Sequence, residues 1–343
     1  MKDLGQLIIT GIGGLTLSPA EKEFIEKEKV GGVILFSKNF SDPIQLKALT
    51  DSINSLNIDY PFFICVDHEG GRVIRFKKYF TQFPPMLNLA RLNDPEIFYQ
   101  VGKIMGQELS SCGINLNFSP CCDLFTNPKN QVIGDRAFGS DPQKVDPLIK
   151  KFIEGMKNEH VLSCAKHFPG HGDTLEDSHF ELPRVTNALK ILKEREFIPF
   201  IHAIKSGVDT IMMGHLLVDE IDPKLPCSLS KPAHDIILKE LNFKGLIFTD
   251  DMQMDAIKKG FSVAKAAELS IVAGANCLVY RDLDYAKAAL AALKETQISK
   301  SMLRETIEKV TEFKKKNLSK RAPSQITFKP GEKFILDIKN RLV

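Results

Sequence analysis

No apolar run in this 343-residue chain reaches membrane-spanning length, which excludes a transmembrane helix. Nor is there an excess of one charge. The 46 basic and 43 acidic residues leave a net charge of +3 and are interspersed, so no basic face for nucleic acid is implied. The one conspicuous basic run, at 314–316, reads as a solvated helix end. The 7 cysteines are odd in number and lack the CxxC spacing of a redox or zinc site. Cys65, Cys164 and Cys277 fall inside apolar runs, and the adjacent Cys121 and Cys122 cannot easily bridge each other, so these five read as structural. A reducing compartment fits. The N-terminal stretch has an acidic residue at its start and glycines breaking its apolar part, which suits a signal peptide poorly, and the cytoplasm is the expected location. The Rossmann and Walker glycine spacings are both missing, which argues against nucleotide binding.

What is present is an alternation. Short β-branched or apolar runs at 7–12, 32–36, 62–67, 114–119, 162–167, 210–215, 246–250 and 276–280 are separated by longer amphipathic stretches. Helix-start signals recur between them: Ser18-Pro19-Ala20-Glu21 sets a cap, a first-turn proline and an N3 glutamate in register, and Asp42-Pro43-Ile44-Gln45 repeats the order. Asp94-Pro95 and Asp141-Pro142 open two more helices. Eight buried strands alternating with helices predict a parallel sheet closed into a (β/α)8 TIM barrel, in the α/β class, with a doubly wound open sheet as the alternative. No composition shift precedes Lys320, so residues 1–320 are expected to form one barrel domain and 321–343 an extension packed on its outside. The helix over 301–315 should bury Leu303, Ile307, Val310 and Phe313 along one stripe.

In such a barrel chemistry sits where strands end and loops converge. Charged and imidazole groups are concentrated there. The segment KHFPGHGDTLEDSH, at 166–179, follows a strand but is interrupted by proline and glycines, so it is a loop. Glycines on each side of His171 permit unusual backbone angles and let Asp177-Ser178-His179 reach over a pocket. The nearby Asp177 carboxylate can fix the His179 tautomer, and a histidine so placed can give a proton to a leaving group and later take one from water. Asp250 and Asp251 end an apolar strand, where successive side chains point to opposite faces. One carboxylate is expected to face the barrel axis as a candidate nucleophile, while the other caps a helix or holds a loop. The segment from Asp67 to Arg75 supplies carboxylate and guanidinium groups suited to sugar hydroxyls, with Gly70-Gly71 allowing a tight turn; Arg136 comes from a long loop.

At these residues the sequence resembles glycoside hydrolase family 3, and within it the compact bacterial β-N-acetylglucosaminidases of peptidoglycan recycling. The likeness runs from the GGVILF segment at 31–36 to about Tyr280, and its most specific part is KHFPGHG followed by Asp177-Ser178-His179. The resemblance implies a retaining mechanism with Asp250 as nucleophile and an Asp177/His179 dyad as acid/base. It also implies substrate contacts at Asp67, Arg75, Arg136, Lys166 and His167, a small carbohydrate or muropeptide substrate, and no cofactor or metal. The departures are His68, where such relatives usually carry glutamine, and Met252-Gln253 after the paired aspartates. Two other enzyme readings stand beside it: a metal-dependent barrel hydrolase using His167, His171 and His179, and phosphorolysis instead of hydrolysis. No HxH follows the first strand, and Pro169 and Gly170 separate two of the histidines, which weighs against the metal reading. A non-catalytic sugar-binding barrel would keep Asp67 and Lys166 without needing Asp250 or His179. The expected assembly is a monomer or homodimer.

Overall fold

The computed structural model describes residues 3–174, 182–318, 326 and 329–342. Each of the eight apolar runs forms a strand: β1 Ile8–Gly11, β2 Gly32–Leu35, β3 Phe63–Val66, β4 Leu116–Asn117, β5 Leu162–Phe168, β6 Thr210–Met213, β7 Leu246–Asp251 and β8 Cys277–Tyr280. Every neighbouring pair is parallel, and β1 bonds both β2 and β8, so the sheet closes on itself. Near-continuous apolar strands are buried on both sides by the barrel interior and the helices outside, as a closed parallel sheet requires. The open-sheet alternative is thereby excluded. A small two-stranded sheet of Arg184–Val185 and Leu217–Val218 lies outside the barrel.

The helix signals act as local chemistry dictates. Ser18 caps Pro19–Glu28 with a full capping box, its backbone N–H donating to Glu21 while its hydroxyl accepts from the Glu21 N–H. Asp42, Asp94 and Asp141 each accept backbone N–H groups at the starts of Pro43–Asn54, Pro95–Ser111 and Pro142–Asn158. The Asp42 site departs from a capping box: Gln45 reaches past Asp42 and accepts from the Ser41 N–H at 2.9 Å.

The helix Lys300–Leu318 buries Leu303, Ile307 and Val310 as its periodicity requires, with Phe313 partly buried beside them. The basic run at its end needs correction. Lys315 and Lys316 are exposed, but Lys314 is fully buried, and its ammonium donates to Gln6 Oε1 and Gly31 O at 2.7 Å each beneath the Phe63 ring. It seals the N-terminal end of the barrel, and burial brings it down to about 7. The C-terminal helix Glu332–Leu342 buries Ile335 and Ile338; Gly331 N–H donates to Thr81 Oγ1 and Arg341 pairs with Asp94 at 3.0 Å. Among the described residues no helix is long and apolar enough to cross a membrane.

Candidate active site at the C-terminal mouth of the barrel

Strand parity builds the site. The Phe63, Phe118 and Phe248 rings meet inside the barrel, Phe248 lying 5.6 Å from each of the other two. Residues at even steps further along those strands, and just past their ends, share the inward face and lie successively nearer the mouth. On β3 that places Cys65, then Asp67 and Glu69, on the axis; on β7 it places Asp250 there. On β5 the pairing with β6 shifts register between Ala165 and Phe168, and Lys166 and His167 both turn toward the mouth.

These groups interlock. Lys166 Nζ lies 2.7 Å from Asp67 Oδ1 and 2.6 Å from Glu69 Oε1. Arg136 grips Glu69 with two bonds of 2.8 Å, and Arg75 Nη2 lies 3.3 Å from Asp67 Oδ2. Arg136 is therefore no ordinary surface ion pair: its side chain is 10% exposed and that of Glu69 3%. Burial would neutralise the Glu69 carboxyl, but Arg136 and Lys166 outweigh it and hold Glu69 far below the usual range. Lys166 is raised in turn, because Asp67 and Glu69 overcome its own desolvation. The turn that follows uses its glycines as expected, with φ of +98° at Gly70 and +55° at Gly71.

Asp123, after β4, organises the next loop. Its full burial would raise it, but the electrostatic attraction and hydrogen bonds of His167 and His171 outweigh that and hold it at about 2. Its Oδ2 lies 2.7 Å from His167 Nδ1, and its Oδ1 accepts the His171 N–H at 2.7 Å. A carboxylate can only accept, so His167 carries its proton on Nδ1 and turns Nε2 toward Arg136 Nη2, 3.5 Å away. Asn130 then clamps the stem of the 166–174 loop, donating to the carbonyls of His171 and Thr174. Of the glycines flanking His171, Gly170 adopts a φ of +125°, whereas Gly172 is needed for space: a Cβ there would sit 1.5 Å from Leu124 O. His171 is buried against Thr174 Oγ1 at 2.7 Å, and desolvation lowers it to about 4. His167 and His171, 6.1 Å apart between ring centroids and nearly perpendicular, do not converge as a ligand pair.

At the end of β7 the two carboxylates part as alternation requires. Asp251 accepts the Gln253 N–H at 3.0 Å and pairs with Arg281 at 3.1 Å, and burial lifts it to about 6. Among the described residues Asp250 has no such anchor and takes the Asp251 N–H at 2.8 Å. Its burial would raise it, yet the His167 and His215 imidazoles, that N–H and Lys166 hold it below the usual aspartate range, so it is ionised. His215 supports this strand end: Nδ1 lies 2.7 Å from Ser228 Oγ and Nε2 3.0 Å from Asp251 O.

The structure thus gathers Asp67, Arg75, Arg136, Lys166, His167 and Asp250 at one mouth; Asp177 and His179 lie outside the described residues. Sequence reasoning missed Glu69, Asp123 and His215. Glu69 had a signal, since it follows Asp67 by the two positions that keep one face; Asp123 and His215 close strand ends but have no distinctive local pattern. His68 falls on the opposite face, buried against Phe76 and Phe80. The model of the glycosyl hydrolase family 3 N-terminal domain matches residues 2–313.

The chain belongs to glycoside hydrolase family 3.

As a family 3 member it is a glycoside hydrolase. A β-hexosaminidase of Nitrosomonas eutropha is 37% identical over 298 residues, covering 85% of each chain. A family 3 β-N-acetylglucosaminidase from Paenibacillus sp. FPU-7 superposes with a TM-score of 0.93 at 32% identity, over 99% of this chain and 67% of that one. NagZ from Neisseria gonorrhoeae, solved in complex with N-trifluoroacetyl-D-glucosamine, gives 0.80 at 32% identity over 89% of each.

Proposed function

We propose that this family 3 enzyme is a retaining β-N-acetylhexosaminidase that removes non-reducing terminal β-linked GlcNAc from peptidoglycan fragments such as GlcNAc-anhydroMurNAc peptides. The observation that carries the reading is an ionised, unanchored Asp250 facing the barrel axis beside the Asp67–Lys166–Glu69–Arg136 network. Its likeness to β-hexosaminidases and to a NagZ holding an N-acylglucosamine analogue supports the substrate class.

In this mechanism Asp250 attacks the anomeric carbon while His179, its tautomer set by Asp177, protonates the departing oxygen. Water then cleaves the glycosyl-enzyme, giving its proton to His179. Asp67, Arg75, Arg136, Lys166 and His167 hold the sugar. Asp67 and the Nε2 of His167 accept from its hydroxyls, while the cations donate to hydroxyl and acyl oxygens. The reading places the enzyme in the cytoplasm as a monomer or homodimer.

The test is release of 4-nitrophenol from its β-GlcNAc glycoside by wild type and Asp250→Ala, both in EDTA. Chelator-resistant turnover that the variant loses is the expected result. Turnover abolished by EDTA would overturn the mechanism in favour of a metal-dependent one, and none by the folded wild type would overturn the substrate. Running the assay in phosphate and in a non-phosphate buffer distinguishes water from phosphate as acceptor; identical free sugar in both is expected.

A further inference from the structure

Among the described residues, one group places thiol, carboxylate and imidazole together: Cys121 Sγ, Asp123 Oδ2 and His167 Nδ1, all within 4.8 Å of one another. Both side-chain protons aim at one carboxylate oxygen. Asp123 Oδ2 takes the Cys121 S–H at 3.3 Å and the His167 Nδ1–H at 2.7 Å. The backbone N–H of His167 is shared between the two carboxylate oxygens, at 3.2 Å to Oδ1 and 3.1 Å to Oδ2, and Oδ1 also accepts the His171 N–H at 2.7 Å, which fixes the carboxylate in place.

We propose that Cys121, Asp123 and His167 form a binding site for a thiophilic divalent cation of the zinc class, one that shares His167 with the sugar site. One sulfur, one nitrogen and one oxygen are the donors such ions select, and three protein ligands leave a fourth position for water. With metal–ligand distances of roughly 2.0–2.3 Å, tetrahedral ligands stand about 3.4 Å apart, so the imidazole must withdraw from the carboxylate by several tenths of an ångström and the thiol and imidazole must settle at that same spacing from each other. The ion displaces both protons from Asp123. The thiol, ordinarily protonated at neutral pH, releases its proton to solvent as the metal–sulfur bond forms. At His167 the ion takes the place of the Nδ1 proton, which moves through solvent to Nε2. Thiolate and carboxylate together balance the dication. Arg136, the nearest cation, is already neutralised by its two bonds to Glu69. Entry is from the barrel mouth, since the His167 side chain is 8% exposed and that of Asp123 0%.

The proton shift has a consequence for the enzyme. His167 Nε2, an acceptor facing Arg136 and the sugar site, becomes a donor. A bound ion therefore inhibits without touching Asp250.

The experiment is a Cd2+ titration of the reduced, chelator-treated full chain, reading thiolate-to-cadmium charge-transfer absorption and proton release with no sugar present. The expected result is saturation at one ion and one proton per chain in wild type. No band is expected in Cys121→Val or Cys121→Ser, the second keeping a hydroxyl beside Asp123 should the first fold poorly. A wild type without the band, or a band surviving in both variants, overturns the site. Because turnover is not read, failure here leaves the glycosidase reading untouched, and an inactive enzyme leaves this one testable.

Discussion

Glu69 is the residue whose removal should tell most. Among the described residues its carboxylate alone grips Arg136 through two hydrogen bonds, and it shares Lys166 with Asp67. Glu69→Ala leaves Lys166 its bond to Asp67, but among the described residues leaves Arg136 the Val132 carbonyl at 3.0 Å and the His167 ring. Breaking one side of a buried pair costs about 3–5 kcal/mol, and since one cation keeps a partner the lower end, about 3 kcal/mol, is expected. Glu69→Gln keeps the shape but turns an N–H group toward one of the cations, for a loss of about 2 kcal/mol. Urea unfolding followed by circular dichroism suits a chain with no tryptophan. The pH dependence has a definite sign. Glu69 is depressed in the folded state, so its contribution is complete above the unfolded glutamate value of 4.5 and is lost as pH falls below it toward the folded value. The gap between wild type and Glu69→Ala should therefore be widest at neutral pH and narrow in acid. A loss under about 1 kcal/mol at pH 7 would refute the account of the network. A gap independent of pH would show that packing, not charge, is what Glu69 supplies.

Three further outcomes follow from the same geometry. Asp123→Asn frees the His167 tautomer and should lower kcat/KM on the order of 100-fold, mostly through KM, while the fold survives by circular dichroism; unchanged KM would remove Asp123 from the sugar site. Asp177→Asn should slow both glycosylation and hydrolysis of the intermediate without abolishing sugar binding, and full kcat at every pH would sink the dyad. Lys314 is depressed to about 7 in the folded chain, so between there and the ordinary lysine value the unfolded state holds a proton the folded state lacks, and stability rises with pH. From pH 7 to pH 9 wild type should gain roughly 2 kcal/mol that Lys314→Met does not; parallel curves would show that Lys314 is charged where it lies.

Much of this protein is written in short-range pattern. Period-two alternation and caps are local properties, so the eight strands, the starts of four helices and the parting of Asp250 from Asp251 are all legible in the residue order alone. The same parity, carried one step further past β3, adds Glu69 to Asp67. The loop reading of KHFPGHG holds only from Pro169 onward, where proline and glycine exclude a strand; Lys166, His167 and Phe168 still complete β5, because their pairing partners on β6 lie far away in sequence.

Tertiary structure decided what depends on distant partners. Glu69 and Arg136 stand 67 positions apart and Asp123 and His167 44 apart, and no periodicity links them. Whether Arg136 was an exposed ion pair or a buried clamp depended on that pairing. Lys314 carries the lesson in the other direction: by sequence it belongs to a charged helix end, but its partners Gln6 and Gly31 lie at the far end of the chain. A closing barrel brings first and last elements together, and only then does a lysine find carbonyl oxygens in place of water.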